Sequence, residues 1–367
     1  MKIMTVFGTR PEIIRLSRVI AHLDRFLYRE GDRHILVHTG QNYDPSLSDI
    51  FFQELGVRAP DVHMGIQSSG FADQAGQIIA KSGELMAEYQ PDKLLILGDT
   101  NSGLSAIVAA RLGIPVYHME AGNRCYDNRV PEEINRRIID HSSDVLMPYT
   151  HRSKDNLVRE GIERQRIYVT GNPIYEVLHH FSEDISNSDI LASRELTAGE
   201  YILVTMHRAE NVDLPERLTD LLNGLEAVGA KYDQPVIMST HPRLRDKIDR
   251  LNIRPGEHIH LHEPFGFFDF VHLEQHASCV ISDSGTVQEE CTIFGVPNVT
   301  IRDVTERAET IEVGGNMLSG GSPADLLRAV DVVLNTPRDW QPPVEYIEKD
   351  VARTVTKIIL GYLHRPR

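Results

Sequence analysis

Short apolar runs recur along this chain, separated by longer stretches in which apolar residues return every three or four positions. The first run, Lys2–Phe7, predicts a buried strand, and Ile13, Ile14, Leu16, Val19, Ile20 and Leu23 then mark one face of a helix over residues 11–26. The alternation continues with a strand at 35–38, a helical stretch reaching Leu55, and a longer helix over Phe71–Tyr89. Lys93–Leu97, Val116–Met119, 145–148 and 167–170 read as further strands. Strands separated by helices make βαβ units and a parallel sheet.

The pattern weakens over residues 181–199, a polar stretch, and restarts at 201–206. It then runs through strands at 236–240, 258–262, Cys279–Ser282 and 298–301, with helices between. The expectation is an α/β protein of two Rossmann-like domains, residues 1–172 and 173–343. A last helix over 344–363 is placed to return to the first domain, which would then include 344–367. A length of 367 residues agrees with two domains rather than one core.

Charge narrows the partners. The 53 acids against 38 Lys and Arg give a net charge of −15, which argues against nucleic acid or an anionic membrane surface as the main partner. The cysteines at 125, 279 and 291 form no close pair and no metal spacing, as expected of a reducing cytoplasm. No apolar run approaches the roughly 20 residues that span a bilayer.

The chemistry gathers where strands end. After the strand at 116–119 comes Glu120-Ala121-Gly122, and Pro131 then opens a helix on which Glu132 and Arg136 lie one turn apart. In open α/β sheets ligands bind beyond the carboxyl ends of strands, so these acids and guanidinium groups are candidates for proton transfer and anion binding. Gly8-Thr9-Arg10-Pro11-Glu12 joins the first strand to the first helix and offers free backbone N–H groups to an anion, with Arg10 beside them. It is no dinucleotide fingerprint. Gly98-Asp99-Thr100 is a similar turn, in which Asp99 or Thr100 also suits a helix cap. His207-Arg208 and Thr240-His241 repeat the strand-end placement in the second half. Asp283-Ser284-Gly285-Thr286 stands at a helix start able to cradle phosphate, and Glu290, further along, can accept hydrogen bonds from ribose hydroxyls. His258, His260 and His262 alternate along one strand, but no further ligand completes a zinc set, so no metal is expected. Phe270, in an aromatic run assigned mostly to the core, can stack on a base.

Taken in order, Gly8-Thr9-Arg10-Pro11-Glu12, Gly98-Asp99-Thr100, Glu120-Ala-Gly122, Pro131-Glu-Glu-Ile-Asn-Arg136, His207-Arg208, Asp283-Ser-Gly285 and Gln288-Glu-Glu290 resemble the non-hydrolysing UDP-N-acetylglucosamine 2-epimerases over nearly the full chain. The resemblance implies a GT-B type fold with both sheets facing a central cleft, a cytoplasmic homodimer, a UDP-sugar substrate, and no cofactor or metal. It implies that UDP is eliminated across C1–C2 to leave a 2-acetamidoglucal, then added back with C2 inverted, to make surface-polysaccharide precursors. By position, Asp99, Glu120 and Glu132 would serve the C2 proton and sugar ring, and His207 the leaving diphosphate. Arg10, Arg15, Arg136, His241, Ser284, Gly285 and Thr286 would contact substrate, chiefly its phosphates, with Glu290 at the ribose and Phe270 at uracil.

Two departures stand out. Arg15 replaces a lysine usual in the family, and residues 123–130 are similar to the branch that converts UDP-2-acetamido-2,6-dideoxy-L-talose to UDP-N-acetyl-L-fucosamine. A GT-B glycosyltransferase and a non-catalytic nucleotide-sugar sensor are the competing readings.

Overall fold

The computed structural model describes residues 1–41, 45–68 and 70–361, with 45–49 as backbone only. The chain divides into two compact units, Met1–His179 with Val344–Arg367, and His180–Pro343. The division falls at residues 179/180, at the end of the helix Ile174–His180.

The first unit holds β1 (Lys2–Phe7), β2 (Arg33–His38), β3 (Val62–His63), β4 (Lys93–Leu97), β5 (Val116–Met119) and β6 (Val145–Met147). They pair in parallel in the order β3-β2-β1-β4-β5-β6. The second unit holds β7 (Ile202–Thr205), β8 (Val236–Ser239), β9 (Ile259–His262), β10 (Cys279–Ser282), β11 (Asn298–Thr300) and β12 (Asn316–Leu318), in the order β12-β11-β10-β7-β8-β9. Read from the other edge, this is the same order. In each sheet the first strand of the unit lies beside its fourth, and there the winding reverses. That reversal is where open α/β sheets bind ligands.

Burial on both faces explains the near-continuous apolar strands. Met4, Val6, Ile35, Val37, Leu94 and Ile96 form a core in the first unit, and Ile202, Val204, Val236, Met238, Ile281 and Val299 one in the second. Each such side chain contributes about 1.5–3 kcal/mol by leaving water.

The structure corrects three expected elements. Residues 167–170 make no strand: Ile167 forms an isolated parallel bridge to Leu146, and β6 stops before Pro148, which has no N–H to extend a ladder. The last helix is broken into a 3-10 turn, Val344–Ile347, and the helix Val351–Leu360, whose final carbonyls at Ile359 and Gly361 accept from Lys93. Leu363 lies outside the described residues. The polar stretch 181–199 contains two short helices, Ser182–Ser186 and Ile190–Ser193, anchored by buried Ile185 and Ile190. No helix among the described residues is long and apolar enough to cross a membrane.

Candidate active site

In the first unit the chain leaves β5 with Glu120 in a left-handed conformation, φ 64°. For a residue with a Cβ this costs roughly 1–3 kcal/mol, a strain that surrounding contacts must hold. The Glu120 carboxylate is held from several directions. Arg15 Nη1 donates to Oε2 at 2.5 Å and Tyr149 Oη at 3.2 Å, while Asn123 Nδ2 donates to Oε1 at 3.2 Å. The Arg15 guanidinium also lies 5.7 Å from the Tyr149 ring centre. Arg15 and Glu120 are both buried, so their attraction is little screened by water. Glu120 Oε2 lies 3.7 Å from where a Cβ on Gly98 would stand, so the carboxylate sits directly over the Gly98-Asp99 turn.

Asp99 is fixed from the helix Pro131–His141. Arg136 Nε donates to its Oδ2 at 2.7 Å, and Asn135 donates to its carbonyl at 3.0 Å. Arg136 Nη1 also reaches Glu133 at 2.8 Å. Burial works to raise Glu133, but the Cys125 N–H and Arg136 outweigh it and hold the carboxyl below its ordinary range. Glu132, one residue earlier, is half-buried on the same first turn.

The winding reversal itself is bridged by Glu12. Its carboxyl accepts from Gly8 N–H at 3.0 Å and the Thr9 hydroxyl at 2.7 Å on the β1 side. It also accepts from Thr100 at 3.2 Å and Ser102 at 2.5 Å on the β4 side. Burial pushes it up to about 7 against the pull of those hydrogen bonds. The Glu120 turn closes at Gly122, φ 82°, where an added Cβ would strike the Ser153 carbonyl. Gly122→Ala is expected to cost roughly 1–3 kcal/mol through this conformation alone, and more from the clash, read as a fall in thermal unfolding temperature.

The second unit repeats the arrangement with different chemistry. Asp283, after β10, is fully buried and reaches across the reversal to the end of β7. It accepts from the His207 N–H at 3.0 Å, the Arg208 N–H at 2.9 Å and Asn211 Nδ2 at 3.1 Å, and its Oδ1 lies 3.1 Å from His207 Nδ1. Burial works to raise it, but the His207 ring, with those N–H groups, holds it down at about 2. The His207 side chain is otherwise half exposed. The helix Gly285–Phe294 begins here, with Ser284 before it and Thr286 half-buried on its first turn. A Cβ on Gly285 would come within 2.8 Å of Glu306 Oε1, with the Arg307 guanidinium at 3.6 Å, so any side chain here would have to displace the Glu306 carboxylate. Glu290, buried on the same helix, adjoins Glu274, which burial and the Glu290 charge push well up.

Thus the first unit pairs Arg15 with Glu120 and Arg136 with Asp99, the two pairs standing at the ends of the neighbouring strands β5 and β4. His207, Ser284 and Gly285 gather at the reversal of the second. Arg10 opens its helix with its guanidinium 5.6 Å from the Phe51 ring centre. His241 caps the helix Pro242–Arg250, its Nδ1 accepting from Arg243 N–H at 3.2 Å. Phe270 is partly buried against the core formed by Tyr201, Leu203 and Leu273. His258 pairs with Glu226 at 2.8 Å, and no group among the described residues is arranged to hold a metal ion. Sequence reasoning missed Tyr149, the contact of Asn123 with Glu120, and the bridging roles of Glu12 and Asp283. Their signal is position: Tyr149, Asn123 and Asp283 follow strand ends closely, and Glu12 lies on the first turn of the helix after β1.

Residues 27–360 match the family model of UDP-N-acetylglucosamine 2-epimerase. The chain is 39% identical to a UDP-N-acetylglucosamine 2-epimerase of Methanocaldococcus jannaschii, covering 94% of this chain and 95% of that one. It is 36% identical to the UDP-2,3-diacetamido-2,3-dideoxy-D-glucuronate 2-epimerase of Pseudomonas aeruginosa, covering 88% and 89%. Among solved structures, that of the M. jannaschii UDP-GlcNAc 2-epimerase in complex with UDP-GlcNAc and UDP superposes with a TM-score of 0.92 at 36% identity, over 98% of this chain and 99% of the other. The glycosyltransferase WaaG, involved in lipopolysaccharide biosynthesis, matches at TM-score 0.61 and 12% identity over 99% of this chain and 100% of the other, a likeness of fold alone. The two Rossmann-like units are of the GT-B type.

Proposed function

The chain belongs to the UDP-N-acetylglucosamine 2-epimerase family, and from that premise we propose that it interconverts UDP-GlcNAc and UDP-ManNAc by elimination and re-addition of UDP. The observation that carries this reading is the Glu120 carboxylate, held in a strained turn by Arg15, Tyr149 and Asn123 directly over the turn that bears Asp99.

The C2 hydrogen beside an acetamido group is only weakly acidic, so its removal needs a positioned base. As that proton leaves, the C2–H electrons form the C1=C2 bond, and the C1–O electrons depart onto the β-phosphate of UDP. Return of UDP to C1, with a proton delivered to the opposite face of C2, completes the inversion. Two carboxylates in one neighbourhood suit a removal and a delivery on opposite faces. We assign Glu120 and Asp99 to these two transfers, with Glu132 at the ring. Arg136, paired with Asp99 and Glu133, fixes Asp99 in place.

The departing diphosphate gains charge and needs donors set in advance. We assign this to the open N-terminus of the helix Gly285–Phe294, with Ser284, Thr286 and His207, aided by Arg10 and His241. Glu290 takes the ribose hydroxyls and Phe270 the uracil. The family resemblance adds a homodimer. The sugar turns on residues 123–130, of which Asn123 touches Glu120. The UDP-2-acetamido-2,6-dideoxy-L-talose epimerase activity is therefore the alternative.

Incubation with UDP-GlcNAc in D2O tests the reading. Deuterium at C2 and a UDP-ManNAc product are expected. Sugar transfer without exchange would indicate a glycosyltransferase, binding without turnover a sensor, and free sugar with UDP a hydrolase. Absence of exchange with every UDP-HexNAc tried, the 6-deoxy-L-talo and diacetamido-glucuronate sugars included, would end the epimerase reading.

A further inference from the structure

A buried charge network lies under the two turns that present Glu120 and Asp99. Asp140, on the helix Pro131–His141, has no exposed surface. Its Oδ2 accepts the Gly122 N–H at 3.1 Å and stands 2.8 Å from Arg124 Nη1. Arg124 is itself closed off, with Nε and Nη2 donating to Glu160 at 2.8 and 2.6 Å and Nη1 to the Asn123 carbonyl at 2.8 Å. On the other side the His118 ring stands with Nδ1 2.9 Å from Asp140 Oδ1, close in distance though off the line of a hydrogen bond. His118 Nε2 is 2.9 Å from the Gly98 carbonyl. A carbonyl only accepts, so Nε2 carries a hydrogen and donates it.

Two lines therefore run from one carboxylate. One reaches Gly122, two residues beyond Glu120, and the other passes through His118 to Gly98, the residue before Asp99. Asp140, His118 and Glu160 have no part in the reaction described above. Stability is a weak reason for such a network, since well-packed apolar side chains in place of buried ion pairs are often as stable or more so. Geometry is a better one. Glu120 and Gly122 both hold left-handed backbone, φ 64° and 82°, and the Gly122 N–H is pinned by Asp140. Misplacing a reacting group by about 1 Å costs on the order of 100-fold in rate.

We propose that Asp140, acting through Gly122 on one side and His118 on the other, is the positioning residue that keeps Glu120 and Asp99 in register for proton transfer at C2. This rests on the epimerase reading. Burial works to raise Asp140, but His118 and Arg124 outweigh it and keep the carboxyl below its ordinary range, so it acts as a fixed anion.

The test is D140N in the full chain, compared with wild type for C2 deuterium exchange, KM, UDP affinity and thermal unfolding. The expected result is a fall in kcat of about 10–100-fold, with KM and UDP affinity within about twofold of wild type. Unchanged kcat, or kcat, KM and UDP affinity worsening together, overturns the positioning role. Should D140N not fold, H118Q carries the test, because it leaves the Gly122 and Arg124 contacts of Asp140 in place. A fall in kcat of about fivefold or more at constant KM is then expected, and unchanged kcat overturns the proposal. Exchange by wild type with unaffected variants sinks the positioning role alone. A wild type that exchanges no UDP-HexNAc sinks the epimerase reading, and the positioning role with it.

Discussion

Glu120→Gln is expected to lower C2 exchange about a thousandfold or more while UDP still binds. The amide keeps the shape of the side chain, and its one oxygen can still accept from Arg15 and Tyr149, while its NH2 stands where an oxygen accepted from Asn123. It has no basic oxygen to take the C2 proton, and a positioned general base is worth about 10²–10⁴-fold. The Arg15 guanidinium loses its anionic partner in a buried place, so a lower unfolding temperature is expected as well. UDP affinity, measured by calorimetry, separates the two effects, because the groups assigned to UDP stand mainly on the second unit. Loss of exchange with intact UDP binding supports proton transfer by Glu120. Near-normal turnover would remove Glu120 from its role.

Much of this was legible from periodicity and from residues at strand ends, and the gaps have physical causes. The main strands of both sheets stand out because burial on both faces makes them near-continuous apolar runs. β3, with only Val62 and His63, and β12, following Gly314-Gly315, are too short to leave a pattern. Residues 167–170 look like a strand by composition, yet the partner strand stops before Pro148, information held elsewhere in the chain. Asp99, Glu120 and His207 were visible because they stand at strand ends, where open sheets bind ligands, and Arg136 because it lies one turn from Glu132 on the helix that follows. Their partners were not. Tyr149 and Asn123 are neutral residues whose value lies in reaching one carboxylate, and Asp140 resembles any helical acid until its burial is known. Residues 123–130 show the same limit from the other side. The sequence marks this segment by its likeness to one branch, but not that the Arg124 guanidinium turns inward to Asp140 and Glu160 or that Arg129 pairs with Asp127 in solvent.

Asp283→Asn is expected to produce the second large effect, this time on the stability of the second unit. The folded carboxyl is held at about 2 against an ordinary value of 3.8. A carboxyl depressed on folding contributes stability that is fully present above the unfolded value and is lost as pH falls through the folded one. The window is therefore between about 4 and 2, and a shift of roughly two units corresponds to about 2–3 kcal/mol. Urea unfolding at pH 7 should show Asp283→Asn less stable than wild type by about that amount, with the gap narrowing as pH is lowered from 4 toward 2. A gap that stays constant across that range would mean packing, not charge, sets the cost. The same substitution loosens the end of β7, since Asp283 accepts the backbone N–H groups of His207 and Arg208 and lies against the His207 ring. Weaker UDP binding is expected to accompany the loss of stability at pH 7. Because the N–H donors persist in the variant while the charge does not, a loss of UDP affinity would point to the carboxylate's hold on His207.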